Sequence, residues 1–247
     1  MKTTYSAIKG GVGKSSLAIL TANYLAGCGY QTLIIDADPQ NSTTFYYLPD
    51  TKTDKSLAAV LQSGDITGNI LSTDIEGVSI IPSALELFTL RNCDTGVLKK
   101  VLPSVNEMYD FCIIDTAPNF DNVVINAILA ADLIVTAQLT AFDLKSAIFY
   151  KALLHKLGKV DEWRIVHNKF KAVKSGGSAA GQLLTLLEAN FKSNILNSRI
   201  PEAAILKNYF NAQETITKAK TKVQVFDAIT ALVTELTGNI TATAEVF

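Results

Sequence analysis

The 247-residue chain is 48% apolar and 18% charged, which excludes a disordered chain and predicts one large domain, residues 1–247, with its own core. A formal net charge of −1 excludes a uniformly basic nucleic-acid coat, yet residues 1–147 hold 9 Lys+Arg against 15 Asp+Glu while residues 148–247 hold 13 against 8. That asymmetry points the second part toward an anionic partner, or leaves it a solvated basic face.

Short apolar runs alternate with helical stretches along the chain. Residues 3–8 predict a strand, residues 15–27 a helix ending at Gly27, and residues 31–36 a buried strand rich in Ile and Leu. Strands follow at 78–82, 109–115, 133–139, 164–168 and 194–200, with helices between them, including 141–157 and 181–191. Strands without polar alternation, separated by helices, predict an α/β fold: a doubly wound, mostly parallel sheet flanked by helices. Cys28, Cys93 and Cys112 form no CxxC pair, which fits a reducing cytosol, and Cys112 reads as a core filler. No run of about 18 apolar residues predicts a membrane span, and the first residues read as a strand rather than a signal peptide.

The strongest signal lies between the first strand and the first helix: Lys9-Gly10-Gly11-Val12-Gly13-Lys14-Ser15, followed by Ser16. Glycines let backbone N–H groups turn toward phosphate oxygens, and the helix start adds partial positive charge. Lys14 is placed to reach the β- and γ-phosphates of a nucleotide, and the Ser15 hydroxyl to ligate Mg²⁺. The ordinary P-loop has a glycine where this chain has Ile8, and Lys9 is a second lysine inside the loop. Next comes Asp36-Ala37-Asp38-Pro39-Gln40, beyond the second strand. Ligands of open α/β sheets bind at the carboxyl ends of strands, so these carboxylates belong beside the phosphates, or else cap a helix. Third, Phe111 to Asp115 reads as a Walker B strand whose carboxylate holds Mg²⁺ directly or through water.

With KGGVGKS, IIDADPQ and IIDTAP in hand, nearly the whole chain resembles the ParA/MinD family of deviant Walker A ATPases, closest to its short ParA-type members. The resemblance implies a sandwich homodimer with two ATP molecules at the interface. Lys9 is then the signature lysine reaching the partner's nucleotide, Asp38 the water-orienting carboxylate, Asp36 a switch-loop residue near the metal, and Asp115 the Walker B carboxylate. The nucleotide contacts run over Gly10, Gly11, Val12, Gly13, Lys14, Ser15 and Ser16. Asn168 resembles the residue at the adenine edge, or is a turn asparagine, and Arg199-Ile200-Pro201 resembles the family's late strand and Ile-Pro turn. Slow ATP hydrolysis, quickened by a ParB-like centromere-binding partner, would release the dimer from non-specific DNA on the nucleoid, in the cytoplasm. Lys169, Lys171, Lys174, Lys207, Lys218, Lys220 and Lys222 are candidate phosphate contacts, each otherwise a solvated lysine. Glu202 and Ile205 stand where many such proteins carry arginines, and no N-terminal helix-turn-helix extension is expected. Positioning of a protein cargo on the nucleoid is the alternative, and a MinD-like membrane regulator a further one. The tail from Leu236 has no Lys or Arg and no useful apolar helical face, which argues against the membrane.

His155 and His167 lack metal-ligand spacing and read as structural. Trp163 and the Phe45-Tyr46-Tyr47 group read as packing, the latter close to the switch loop.

Overall fold

The computed structural model describes residues 1–138, 144–170, 179–202 and 223–238. Its strands are β1 (Lys2–Tyr5), β2 (Thr32–Ala37), β3 (Leu71–Ser72), β4 (Val78–Ile81), β5 (Phe111–Thr116), β6 (Leu133–Gln138), β7 (Trp163–Phe170) and β8 (Ile195–Pro201). They form one 8-stranded sheet in the order β3-β4-β2-β5-β1-β6-β7-β8. Among the described strands only the short β3 runs antiparallel to its neighbour; every other pair is parallel.

The helices are α1 (Lys14–Gly27), α2 (Ser42–Tyr47), α3 (Leu57–Ser63), α4 (Val97–Val101), α5 (Asn122–Ala130), α6 (Leu144–Lys156), α7 (Ala179–Phe191) and α8 (Val223–Thr237). Successive strand side chains point to opposite faces, and the core divides accordingly. Ile34 and Ile113 join the α1 and α8 side with Leu17, Ile229 and Val233. Leu33, Ile35, Cys112 and Ile114 face the other way, onto α3, α4 and α5. A third cluster gathers Ile134, Trp163, Ile165, Tyr150 and Phe191 under α6 and α7. Strands β2 and β5 are buried at every position, as central parallel strands covered on both faces must be. At the sheet edge, β8 alternates buried and open positions.

α8 presents Val225, Phe226, Ile229, Leu232, Val233 and Leu236 to the core at helical spacing. It is anchored to β8 by Glu235, whose carboxylate accepts the N–H groups of Asn197 at 2.7 Å and Ser198 at 2.9 Å. Among the described residues, no helix is long and apolar enough to cross a membrane.

The observed elements shift the expected ones at their ends. β1 stops at Tyr5, where the backbone leaves the ladder toward the glycine loop. β2 and β5 each run one residue past the carboxylate, because pairing continues through Asp36–Asp115 to Ala37–Thr116. Leu139 and residues 141–143 of the expected β6 and α6 lie outside the described residues.

The chain winds outward from β1 in both directions, so β1 sits between β5 and β6 at the point where strand order reverses. The crevice at its carboxyl end is where ligands of such sheets bind. The glycine loop emerges at that point.

Candidate functional site

The loop from Lys9 to Gly13 turns at two glycines in the left-handed region, Gly11 at φ 73° and Gly13 at φ 95°, a conformation that costs any side-chain-bearing residue. Gly13 is also the N-cap of α1, and among the described residues no side chain caps that helix. Its first-turn N–H groups therefore remain available to an anion, with the helix dipole behind them. A Cβ at Gly13 would collide with the Asn168 amide.

Lys14 begins α1 with its side chain buried. Burial lowers the ammonium's proton affinity, against the opposing pull of the Asp115 and Asp38 carboxylates. Ser15 and Ser16 follow, half-buried, while Lys9 lies at the surface.

The two strand carboxylates face each other across β2 and β5, Asp36 in register with Asp115, and both are wholly buried. Burial raises the proton affinity of Asp36, and the charge of Asp115 raises it further. Hydrogen bonds from Thr44 and the Asp38 N–H work the other way. Asp36 Oδ2 accepts the Thr44 N–H at 2.8 Å and its hydroxyl at 2.7 Å, and Oδ1 accepts the Asp38 N–H at 3.0 Å. Asp115 is likewise shifted upward by burial, offset in part by the Ser15 and Thr43 hydroxyls and by Lys14. Thr43 donates to Asp115 Oδ2 at 2.8 Å, whereas Asp115 Oδ1 is buried with no hydrogen-bond partner among the described residues. An orphaned carboxylate oxygen, a serine hydroxyl beside the same carboxylate and a second buried carboxylate fit a hard divalent cation that takes oxygen ligands, such as Mg²⁺. Ser15 and Asp115 could hold it, with Asp36 close by.

The segment after β2 is pinned at several points. Asp38 is buried; its Oδ1 accepts the Gln40 N–H at 2.9 Å, and its carbonyl accepts the Ser83 hydroxyl at 2.7 Å and the Asn41 N–H at 2.8 Å. Thr44, already bonded to Asp36, accepts the Ser83 N–H at 2.8 Å. Asn41 takes φ 52° at the start of α2. Thr43, Thr44 and Ser83 were not foreseen from the sequence. Thr43 and Thr44 lie a few residues beyond the Asp36-x-Asp38 motif, which is the one signal that could have drawn attention to them.

On the other side, the end of β7 meets the glycine loop. Asn168 is buried and donates its amide to the Val12 carbonyl at 2.8 Å, and Lys169 Nζ reaches the Gly11 carbonyl at 3.2 Å. Of the candidate nucleic-acid lysines, Lys169 is thus placed against the loop. Pro201 closes β8, paired with Phe170. Lys171, Lys174, Lys207, Lys218, Lys220 and Lys222, together with Ile205, lie outside the described residues. Trp163 is a packing residue, its indole N–H on the Thr136 hydroxyl at 2.8 Å. Tyr46 and Tyr47 are buried, edge to face, and both bond Asn23; Phe45 stays largely exposed. His155 is exposed; His167 is buried, its proton affinity lowered by burial.

Residues 3–169 match the model of the AAA domain family. The chain is 29% identical over 211 residues to the virulence plasmid ParA family protein pGP5-D of Chlamydia psittaci, covering 81% of this chain and 80% of that one. It is 25% identical over 173 residues to the maintenance of carboxysome distribution protein A of Synechococcus elongatus, covering 66% and 68%. With the sporulation initiation inhibitor protein Soj of Bacillus subtilis the identity is 30%, and the match spans about half of that protein, 53%. In fold, the chain superposes on a Borrelia burgdorferi protein described as a plasmid partition protein, bound to AMPPNP. The TM-score is 0.77 at 24% identity, covering 94% of this chain and 96% of that one. An aspartate-to-alanine variant of Cyanothece McdA in complex with ATP gives a TM-score of 0.81 at 20% identity, covering 97% of each chain. The glycine loop at the switch point and the buried carboxylates beside it thus sit in a shared fold, and the chain belongs to the AAA domain family, in its ParA/MinD branch of P-loop ATPases.

Proposed function

We propose that this chain is an ATP-driven dimerising switch of deviant Walker A type that partitions a plasmid or chromosome. Its ATP-bound dimer holds non-specific DNA, and a ParB-like partner stimulates hydrolysis and release. One observation carries the reading: the uncapped start of α1, the buried Lys14 and the register-paired Asp36 and Asp115 converge at the sheet's switch point.

The proposed roles are as follows. The N–H groups from Gly10 to Ser16 and the Lys14 ammonium receive the phosphates. Ser15 and Asp115 would hold Mg²⁺, which would supply positive charge against the phosphates. Asp38 orients the attacking water, on a loop whose position Asp36, Thr44 and Ser83 fix. Lys9, at the surface, reaches the partner's nucleotide and offsets charge developing in the transition state. Asn168 and Pro201, closing β7 and β8, border the base. A site completed only by a second copy couples ATP to dimerisation, and loss of the γ-phosphate frees the switch loop. Because the site offers mostly positioning, turnover by the chain alone is slow.

Similarity to the carboxysome distribution protein favours a second reading, in which the same switch positions a protein cargo on the nucleoid. The two differ in the partner, not in the ATP cycle.

Sedimentation with ATP and Mg²⁺ tests the switch. Asp38→Ala is expected to hold a lasting ATP dimer with hydrolysis lost. Lys14→Ala is expected to stay monomeric, with ATP affinity lowered by about 100-fold or more, as for loss of a charge-assisted contact in a desolvated site. Normal hydrolysis by Asp38→Ala would remove the carboxylate from its assigned role.

A further inference from the structure

Two adjacent residues at the tip of β7 hold the glycine loop from outside. Asn168 donates to the Val12 carbonyl at 2.8 Å and Lys169 to the Gly11 carbonyl at 3.2 Å. Neighbouring residues of a regular strand point to opposite faces, so one loop cannot ordinarily meet both. Here the alternation is broken. Lys169 has φ 52°, and among the described residues only Asn41 is another non-glycine at positive φ. The β7–β8 register also slips between His167–Arg199 and Phe170–Pro201, as at a bulge, a device that re-aims side chains near functional sites. The turn is fastened by the Lys169 N–H on Asn168 Oδ1 at 2.9 Å. A left-handed lysine carries backbone strain that a glycine would avoid.

The geometry of the peptide unit says what this turn accomplishes. Across a trans peptide the carbonyl and the following N–H point in opposite directions. Drawing the Gly11 and Val12 carbonyls toward β7 therefore turns the N–H groups of Val12 and Gly13 away from it. Among the loop's groups, those two sit between the flexible Gly11 and Gly13, where the backbone has the greatest freedom to turn them elsewhere. We propose that Lys169 is a positioning residue for the nucleotide site: its ammonium holds the Gly11–Val12 peptide so that the loop's N–H groups are set for phosphate before the nucleotide arrives. The proposal rests on the nucleotide-site reading above. It assigns Lys169 a function within the monomer, apart from any contact with DNA.

The test compares ATP·Mg²⁺ affinity and Tm for the wild-type chain, Lys169→Gly and Lys169→Arg. Glycine accepts φ 52° without strain, so Lys169→Gly is expected to keep or raise Tm while binding ATP about ten-fold more weakly, the worth of one charge-assisted hydrogen bond. Lys169→Arg, which still donates to the Gly11 carbonyl, is expected to recover most of the affinity. The ratio of wild-type to Lys169→Gly affinity is expected to persist from about 0.1 to 1 M salt, since it arises from loop geometry rather than a screened contact. Equal ATP affinity in wild type and Lys169→Gly would overturn the positioning role and leave the nucleotide site standing. A ratio that collapses in salt would overturn it too, in favour of direct phosphate contact. A wild-type chain that binds no ATP would overturn both readings together.

Discussion

Asp115 carries one carboxylate oxygen bonded to Thr43 and one with no hydrogen-bond partner among the described residues, in a wholly buried position. Asparagine keeps the shape and the bonded oxygen while removing a buried charge. Asp115→Asn is therefore expected to be more stable than wild type at pH 8 without Mg²⁺, by about 1–3 kcal/mol, and to lose Mg²⁺-dependent ATP binding. The pH dependence has a definite sign. The folded proton affinities of Asp36 and Asp115 lie above the unfolded ones. Their contribution to stability is full below about pH 4 and is lost as pH rises through the raised folded values. Thermal melts from pH 4 to 8 should show this loss in wild type and a shallower one in Asp115→Asn; identical slopes would mean that Asp115 is not shifted. Thr44 is a third test, because its hydroxyl donates to Asp36 and accepts from the Ser83 N–H. Thr44→Val is expected to cost about 1–3 kcal/mol in denaturant melts, leaving the buried Asp36 carboxylate and the half-buried Ser83 N–H each short of a bond. The glycine loop and the three aspartates stood out in the sequence because each follows an apolar run in a fixed spacing. Thr43, Thr44 and Ser83 did not, since hydroxyl residues occur everywhere and only the folded chain brings Ser83 to the Asp38 carbonyl. Lys169 was legible as a basic residue but not as a loop contact, because its aim depends on a left-handed turn that lysine does not announce.

At the scale of elements, helix starts offer the cleanest energetic test. Asp121 caps α5, accepting the N–H groups of Val123 and Val124 at 3.1 Å each. Asp121→Ala is expected to lower stability by about 1–2 kcal/mol in urea melts. The exposed Arg91 contact at 3.9 Å adds little to that. α1 is a contrast: among the described residues no side chain caps its start, as at α2 and α4, but here the open N–H groups lie beside the glycine loop. The long apolar strands were readable from the chain because burial on both faces leaves no polar alternation. The two-residue β3 and the five-residue α4 were not, being too short for either period to register. The strand ends slipped by one residue at Asp36 and Asp115 because polarity suggested a stop where ladder hydrogen bonds continue. Sequence spacing also could not supply the pairing of Asp36 with Asp115, which lie on strands separated by two others along the chain and made neighbours only by the sheet order.

For the whole molecule, the arrangement around β1 explains how a small change at a phosphate could be felt widely. Asp36 ties the centre of the sheet to the loop carrying Asp38, and that loop is bonded in turn to Ser83 beyond β4. On the opposite side, β7 grips the glycine loop while pairing with β8, to which Glu235 fastens α8. Charge is divided along the chain rather than balanced locally, with the basic excess after residue 147. On the proposed reading, that excess would let an ATP dimer hold DNA through phosphates, without reading bases. The most direct measurement is binding of a random-sequence DNA duplex with no nucleotide, with ADP and with ATP·Mg²⁺, at low and at raised salt. The account predicts binding only with ATP·Mg²⁺, fading steeply as salt rises. Binding that ignores the nucleotide, or none in any state although ATP drives dimerisation, would contradict it.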